Sequence, residues 1–108
     1  MSPDSKPRRG VAAYVHGIKS DVELERLVDT CDVVVDAMGT FCPEPVIRTQ
    51  NAARELSAGT VVMILADDAG VEIDLPAWCI STRNEYLGVL REPDKLRVFV
   101  RKAAPKAR

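Results

Sequence analysis

A chain of 108 residues that is 46% hydrophobic but only 5% aromatic has room for one modest aliphatic core and not for two. With 15 basic against 16 acidic residues the formal charge is −1, which gives no bulk electrostatic pull toward nucleic acid and disfavours direct RNA or DNA binding. No stretch approaches the ~18 apolar residues of a membrane span and the N-terminus lacks the apolar segment of a secretion signal, so a cytoplasmic protein with no membrane contact is expected.

Residues 1–10 carry two prolines with Asp4, Lys6, Arg8 and Arg9, and read as a disordered tail. An N-terminal extension follows over 11–31. Within it, Ser20 and Glu23 form a capping-box pattern ahead of Leu24, Leu27 and Val28, which predicts a short amphipathic helix over 21–30.

The core begins with a strand over 32–37, the run Asp32-Val33-Val34-Val35-Asp36-Ala37. Next comes Gly39-Thr40-Phe41-Cys42-Pro43-Glu44-Pro45, opening a helix predicted over 43–57. Pro43 suits the first helical position, where a missing N–H costs nothing, and Pro45 still lies in the first turn. Cys42 thus marks a helix start, where the positive end of the dipole favours thiolate and can lower a cysteine pKa from ~8.5 to about 3.5–7.5. The bland alternative has equal weight on local spacing alone: free cysteines are often buried small hydrophobes. Val46, Thr49, Ala52, Ala53 and Leu56 share the inward arc, and Arg48, Asn51 and Glu55 face away. Ile47 falls off that arc, as a surface aliphatic or a partner contact. Gly59 is placed as the glycine that ends this helix.

A strand over 60–66 leads to Asp67 and Asp68, one of which is expected to cap the backbone that follows. The second core helix is predicted over 75–82, with Leu75, Trp78, Cys79 and Thr82 on one face, making Cys79 a core residue. Strands over 85–91 and 94–102 flank the turn Glu92-Pro93-Asp94-Lys95 and form an antiparallel hairpin, while the first two strands, joined through a helix, should be parallel. The fold class is therefore α/β (α+β): a two-layer sandwich in βαβαββ order over 32–102, a mixed four-stranded sheet with two helices on one face, followed by a basic tail over 103–108.

Both alternating faces of Thr60 to Ala66 and of Val33 to Val35 are apolar, and two helices cover only one of them. The N-terminal segment, with Val11, Tyr14, Val15, Ile18, Leu24 and Leu27, is the expected cover for the other; a homodimer or partner protein is the competing one. Three cysteines, Cys31, Cys42 and Cys79, are an odd number with no Cys-x-x-Cys pair, which argues for free thiols. His16 is the only histidine and forms no zinc pattern with them, so no metal site and no bound cofactor is expected.

Taken together, Cys42-Pro43-Glu44-Pro45 after a strand and a glycine-bearing turn, then Ile64-Leu65-Ala66-Asp67-Asp68 and Asp74-Leu75-Pro76-Ala77-Trp78-Cys79, resemble the TusA/SirA family of small sulfur carriers from about Val33 to Lys102. The resemblance implies that Cys42 is the catalytic residue, accepting sulfur as a covalent persulfide from a protein donor such as a cysteine desulfurase or rhodanese and relaying it to a protein acceptor. It also implies partner contacts around Phe41 and Arg48; from their own placement, Ile47 off the apolar arc and Asp67 and Asp68 in the loop are further candidate partner contacts, with capping the alternative role of the two aspartates. Phe41 stands where the family usually has a basic or small polar residue, Ala69 where a proline is common, Arg83-Asn84 where Gly-His is usual, and Gln50 and Asn51 where basic residues lie, with Arg48 the nearest substitute.

Nothing in the sequence places His16 beside Cys42 as a catalytic base, so a sulfurtransferase-type carrier acting on protein partners is favoured over chemistry on a free substrate. Two other readings stand beside it. A thiol redox module would pair Cys42 with Cys31 or Cys79, and a noncatalytic interaction domain would use Cys42 only as part of a helix start.

Overall fold

The computed structural model describes residues 19–104. The tail over 1–10, Val11, Tyr14, Val15 and Ile18 of the expected cover, and residues 105–108 of the basic tail lie outside the described residues. The elements run α1 (Asp21–Thr30), β1 (Val33–Asp36), α2 (Glu44–Ala53), β2 (Val61–Ala66), α3 (Val71–Thr82), β3 (Glu85–Glu92) and β4 (Lys95–Arg101).

The four strands form one mixed sheet in the order β1-β2-β4-β3. β1 and β2 are parallel, with Val33 opposite Val62; β4 is antiparallel to both neighbours, pairing Val62 with Val100 and Met63 with Phe99. Period-2 alternation then sorts the apolar residues. Val35, Val62, Ile64, Ala66, Val98 and Val100 face one side, where Ala53, Val71, Leu75, Trp78 and Cys79 of the helices α2 and α3 close over them. Val61, Met63, Leu87, Leu90 and Phe99 face the other, under Leu24 of α1 with Leu27, Val28 and Cys31 beside it.

The cover of the second face is therefore α1, held at its start by both capping-box bonds: Glu23 N–H to Ser20 Oγ and Ser20 N–H to Glu23 Oε1. Lys19 N–H donates to Leu87 O at 2.7 Å, tying the start of the described chain to β3. There β3 bulges between Tyr86 and Gly88. Gly88 has φ 142°, and a Cβ on it would lie 2.9 Å from Leu24 Cδ1. A side chain there would force the Leu24 side chain to shift and would be strained by the positive φ. The cover stops short of the far edge: Val34 on β1, two strands from β3's neighbour β4, stays 53% exposed.

Several boundaries differ from those the sequence predicts. α2 ends at Ala53 rather than 57, because the chain tightens into an i→i+3 turn in which Leu56 N–H reaches Ala53 O. Leu56 still packs inward. Gly59, with φ 91°, serves the turn into β2 rather than the helix end. α3 starts at Val71, a turn before the predicted 75, so Val71, Leu75, Trp78 and Cys79 make the buried stripe and Thr82 is exposed. Pro76 is interior instead of initial, and its missing N–H leaves the Glu72 carbonyl without an i+4 donor.

Candidate functional site

Parallel pairing puts the C-terminal ends of β1 and β2 side by side, with Ala37 N–H bonded to Leu65 O at 2.8 Å. The two loops that leave this edge, one carrying Cys42 and the other Asp67 and Asp68, therefore meet. In open α/β sheets the carboxyl ends of parallel strands are where chemistry collects.

The Cys42 loop has little apolar packing to hold it and is organised by hydrogen bonds. Gly39, at φ 78°, turns the chain after β1 and donates its N–H to both oxygens of Asp67 at 3.1 and 3.2 Å. Cys42 donates its own N–H to Asp68 Oδ2 at 2.9 Å, and the other oxygen of Asp68 takes Gly70 N–H at 3.1 Å. Asp68 thus takes the backbone N–H groups of both loops, although neither α2 nor α3 has a side-chain cap on its first turn, and Asp67 braces the opposite loop. Those two N–H bonds, the Cys42 one foremost, hold the Asp68 carboxyl below the usual carboxylate range.

Pro43 occupies the cap position rather than the first helical one, after a cis Cys42–Pro43 peptide, and Pro45 is second in the helix and buried. Glu44 and Arg48 form an exposed i,i+4 ion pair at 2.9 Å, and Arg48 Nη1 also donates to Asp36 O at 3.0 Å. Arg48 is thereby engaged with its own fold. Phe41, next to the thiol, is 77% exposed, and Ile47, one turn into α2, is exposed on the same helix start.

Cys42 itself is exposed, and its Sγ donates to Asp74 Oδ2 at 2.6 Å. That bond, followed by desolvation and the charges of Asp74 and Asp68, raises the thiol pKa, opposite to the direction its helix-start position predicts. The reason is one of magnitude: a helix N-terminus carries about half a unit charge, whereas Asp74 brings a full carboxylate and a hydrogen bond that exists only while the sulfur keeps its proton. Asp74 is the residue at the sulfur that reasoning from the sequence misses. With the helix started at 75 it falls outside any element; started at 71, the first turn carries it to the sulfur. The inward stripe of Val71, Leu75, Trp78 and Cys79, at spacings of four, three and one, is the signal that places that start.

The other thiols are of a different kind. Cys79 is 1% exposed in the helix-side core and burial pushes its pKa up to about 12. Cys31 is half-buried after α1, and burial raises it too. Among the described residues there is no group of three His, Cys, Asp or Glu side chains able to hold a metal ion, and no helix is long and apolar enough to cross a membrane.

Residues 33–102 match the family described as sulfurtransferase TusA. The chain is 46% identical over 70 residues to the putative sulfur carrier protein YrkF of Bacillus subtilis, a match that takes in 65% of this chain but only 38% of that protein. It is 37% identical over 73 residues to the sulfur carrier protein TusA of Pseudomonas entomophila, covering 68% of this chain and 91% of the relative. The crystal structure of a SirA-like protein from Desulfitobacterium hafniense superposes with a TM-score of 0.60 at 28% identity, over 67% of this chain and 99% of that one. The family match over 33–102 takes in the sheet with α2, α3 and the Cys42 loop, and α1 precedes it. From Val33 to Lys102, in sequence and in fold, this chain belongs to the TusA sulfurtransferase family.

Proposed function

We propose that this protein is a sulfur carrier in which Cys42 accepts a sulfur atom as a persulfide from a protein donor, such as a cysteine desulfurase or rhodanese, and presents it to an acceptor protein. The observation that carries this reading is an exposed thiol on a loop fixed at three points by Asp67, Asp68 and Asp74, inside a domain whose relatives are named sulfur carriers. Binding no cofactor, the domain supplies one nucleophile and a rigid frame. Donor and acceptor supply the rest of the chemistry, and the exposed Phe41 and Ile47 beside the thiol give them apolar surface to dock on.

A thiol redox module needs a resolving thiol within reach of Cys42. Cys31 and Cys42 lie at opposite ends of β1, whose four residues alone span about 13 Å, against the ~7 Å Cα separation that a disulfide tolerates. Cys79 is sealed in the core. The carrier reading is tested by intact-mass measurement after incubation with a cysteine desulfurase and cysteine. The wild type should gain the mass of sulfur and Cys42→Ser should not. Equal gain by both would overturn it.

A further inference from the structure

Four carboxylates gather around Cys42, and all but one are occupied by backbone or by an internal ion pair. Asp67 is taken up by Gly39 N–H, Asp68 by the N–H groups of Cys42 and Gly70, and Glu44 by Arg48. Asp74, on α3, faces the sulfur alone at 2.6 Å. Among the described residues none of Asp67, Asp68 and Asp74 forms an ion pair, so their charge is not cancelled at the thiol. A carboxylate accepting the S–H bond stabilises only the protonated sulfur, and its charge opposes thiolate from the same side.

We propose that Asp74 is a positioning residue that keeps the Cys42 sulfur protonated and directed at its carboxylate, so that the unpartnered carrier is a guarded nucleophile at neutral pH. The inference rests on Cys42 being the sulfur acceptor. As pH rises the S–H proton passes to solvent base, the bond to Oδ2 is lost, and a thiolate is left. That thiolate attacks the outer sulfur of a persulfide R–S–S–H: an S–S bond forms from Cys42 Sγ to that sulfur, the donor's own S–S bond breaks, and the thiolate R–S⁻ leaves to take up a proton. One persulfide is consumed and one is made, so nothing is oxidised or reduced overall. The thiolate is the reactive form in alkylation and in sulfur transfer alike, so both should follow the same titration.

The test is the pH profile of Cys42 modification in the full chain, read on the Cys42 peptide by mass spectrometry, for the wild type, Asp74→Asn and Asp74→Glu. With iodoacetamide, Asp74→Asn should move the midpoint to lower pH, label faster near neutrality and converge with the wild type at high pH, while Asp74→Glu should restore a profile close to the wild type's. An unmoved midpoint in a folded Asp74→Asn protein would overturn the proposal. Should that variant not fold, the wild type decides alone: its Cys42 midpoint must lie higher folded than in urea, and an equal or lower folded value overturns the role. Repeating the profile with glutathione persulfide separates this idea from the one beneath it. Loading with an unmoved midpoint removes the role of Asp74 and leaves the carrier; a moved alkylation midpoint with no loading of any variant keeps Asp74 and removes the carrier.

Discussion

The sheet and the Cys42 loop, which adjoin at the ends of β1 and β2, are held together by opposite means. In the sheet, alternation sends Val62 and Val100 into one core under α2 and α3, and Met63 and Phe99 into the other under α1. In the loop, a backbone N–H of Gly39, another of Cys42 and the Cys42 sulfur each go to a different aspartate at the surface. Burial fixes the first region and hydrogen bonds to carboxylates fix the second. Substitutions should therefore divide cleanly, those in the cores lowering stability with the thiol's behaviour kept, those in the loop changing the thiol with stability nearly kept.

The largest core effect is expected at Leu24, which is 1% exposed and is the main contact of α1 with the second face. Leu24→Ala should cost about 2–5 kcal/mol in urea unfolding, the usual range for a truncated core leucine. A loss below 1 kcal/mol would mean that α1 does not seal that face. Next comes Cys79→Ser, which places a hydroxyl among apolar side chains and should cost about 1–3 kcal/mol, while the Cys42 alkylation rate stays at the wild-type value. A change in that rate would break the division between the two regions. Gly88→Ala should cost about 1–3 kcal/mol, through its positive φ and the 2.9 Å approach to Leu24. Combined with Leu24→Ala it should cost less than the sum of the two, because the methyl then enters vacated space.

The smallest stability effect is expected at Asp68, whose change should be felt in the loop. Its pKa is lowered by the Cys42 and Gly70 N–H bonds, so its contribution is present above the unfolded value of 3.8 and fades as pH falls through the lower folded one. Amide exchange at Cys42, followed by NMR, should be protected near neutrality, lose protection as Asp68 is protonated in strong acid, and be unprotected at every pH in Asp68→Ala, which removes the acceptor. Protection that survives in the variant would show that something else holds the loop.

Where the sequence was legible, one local force dominated. The doubly apolar run of β2 announced a sheet covered on both faces, and Ser20 with Glu23 announced α1. The parallel β1–β2 pair and the β3–β4 hairpin follow from connection length and turn chemistry. The helix α3 starts a turn before the predicted 75, with Pro76 in its interior, because tertiary packing of Val71 and Leu75 outweighs a lost backbone bond. Val34 stays open because strand order, which no periodicity encodes, sets it at the edge away from α1. Cys42 was legible from its place between strand and helix. The direction of its pKa was not, since it depends on a carboxylate 32 positions away in the chain.

The most direct measurement is peptide mapping of the wild-type protein after loading by a cysteine desulfurase, with the extra sulfur assigned to a residue by fragmentation. The account requires it on the peptide carrying Cys42 and absent from those carrying Cys31 and Cys79. Sulfur found on Cys31 or Cys79, with Cys42 unmodified, would contradict it.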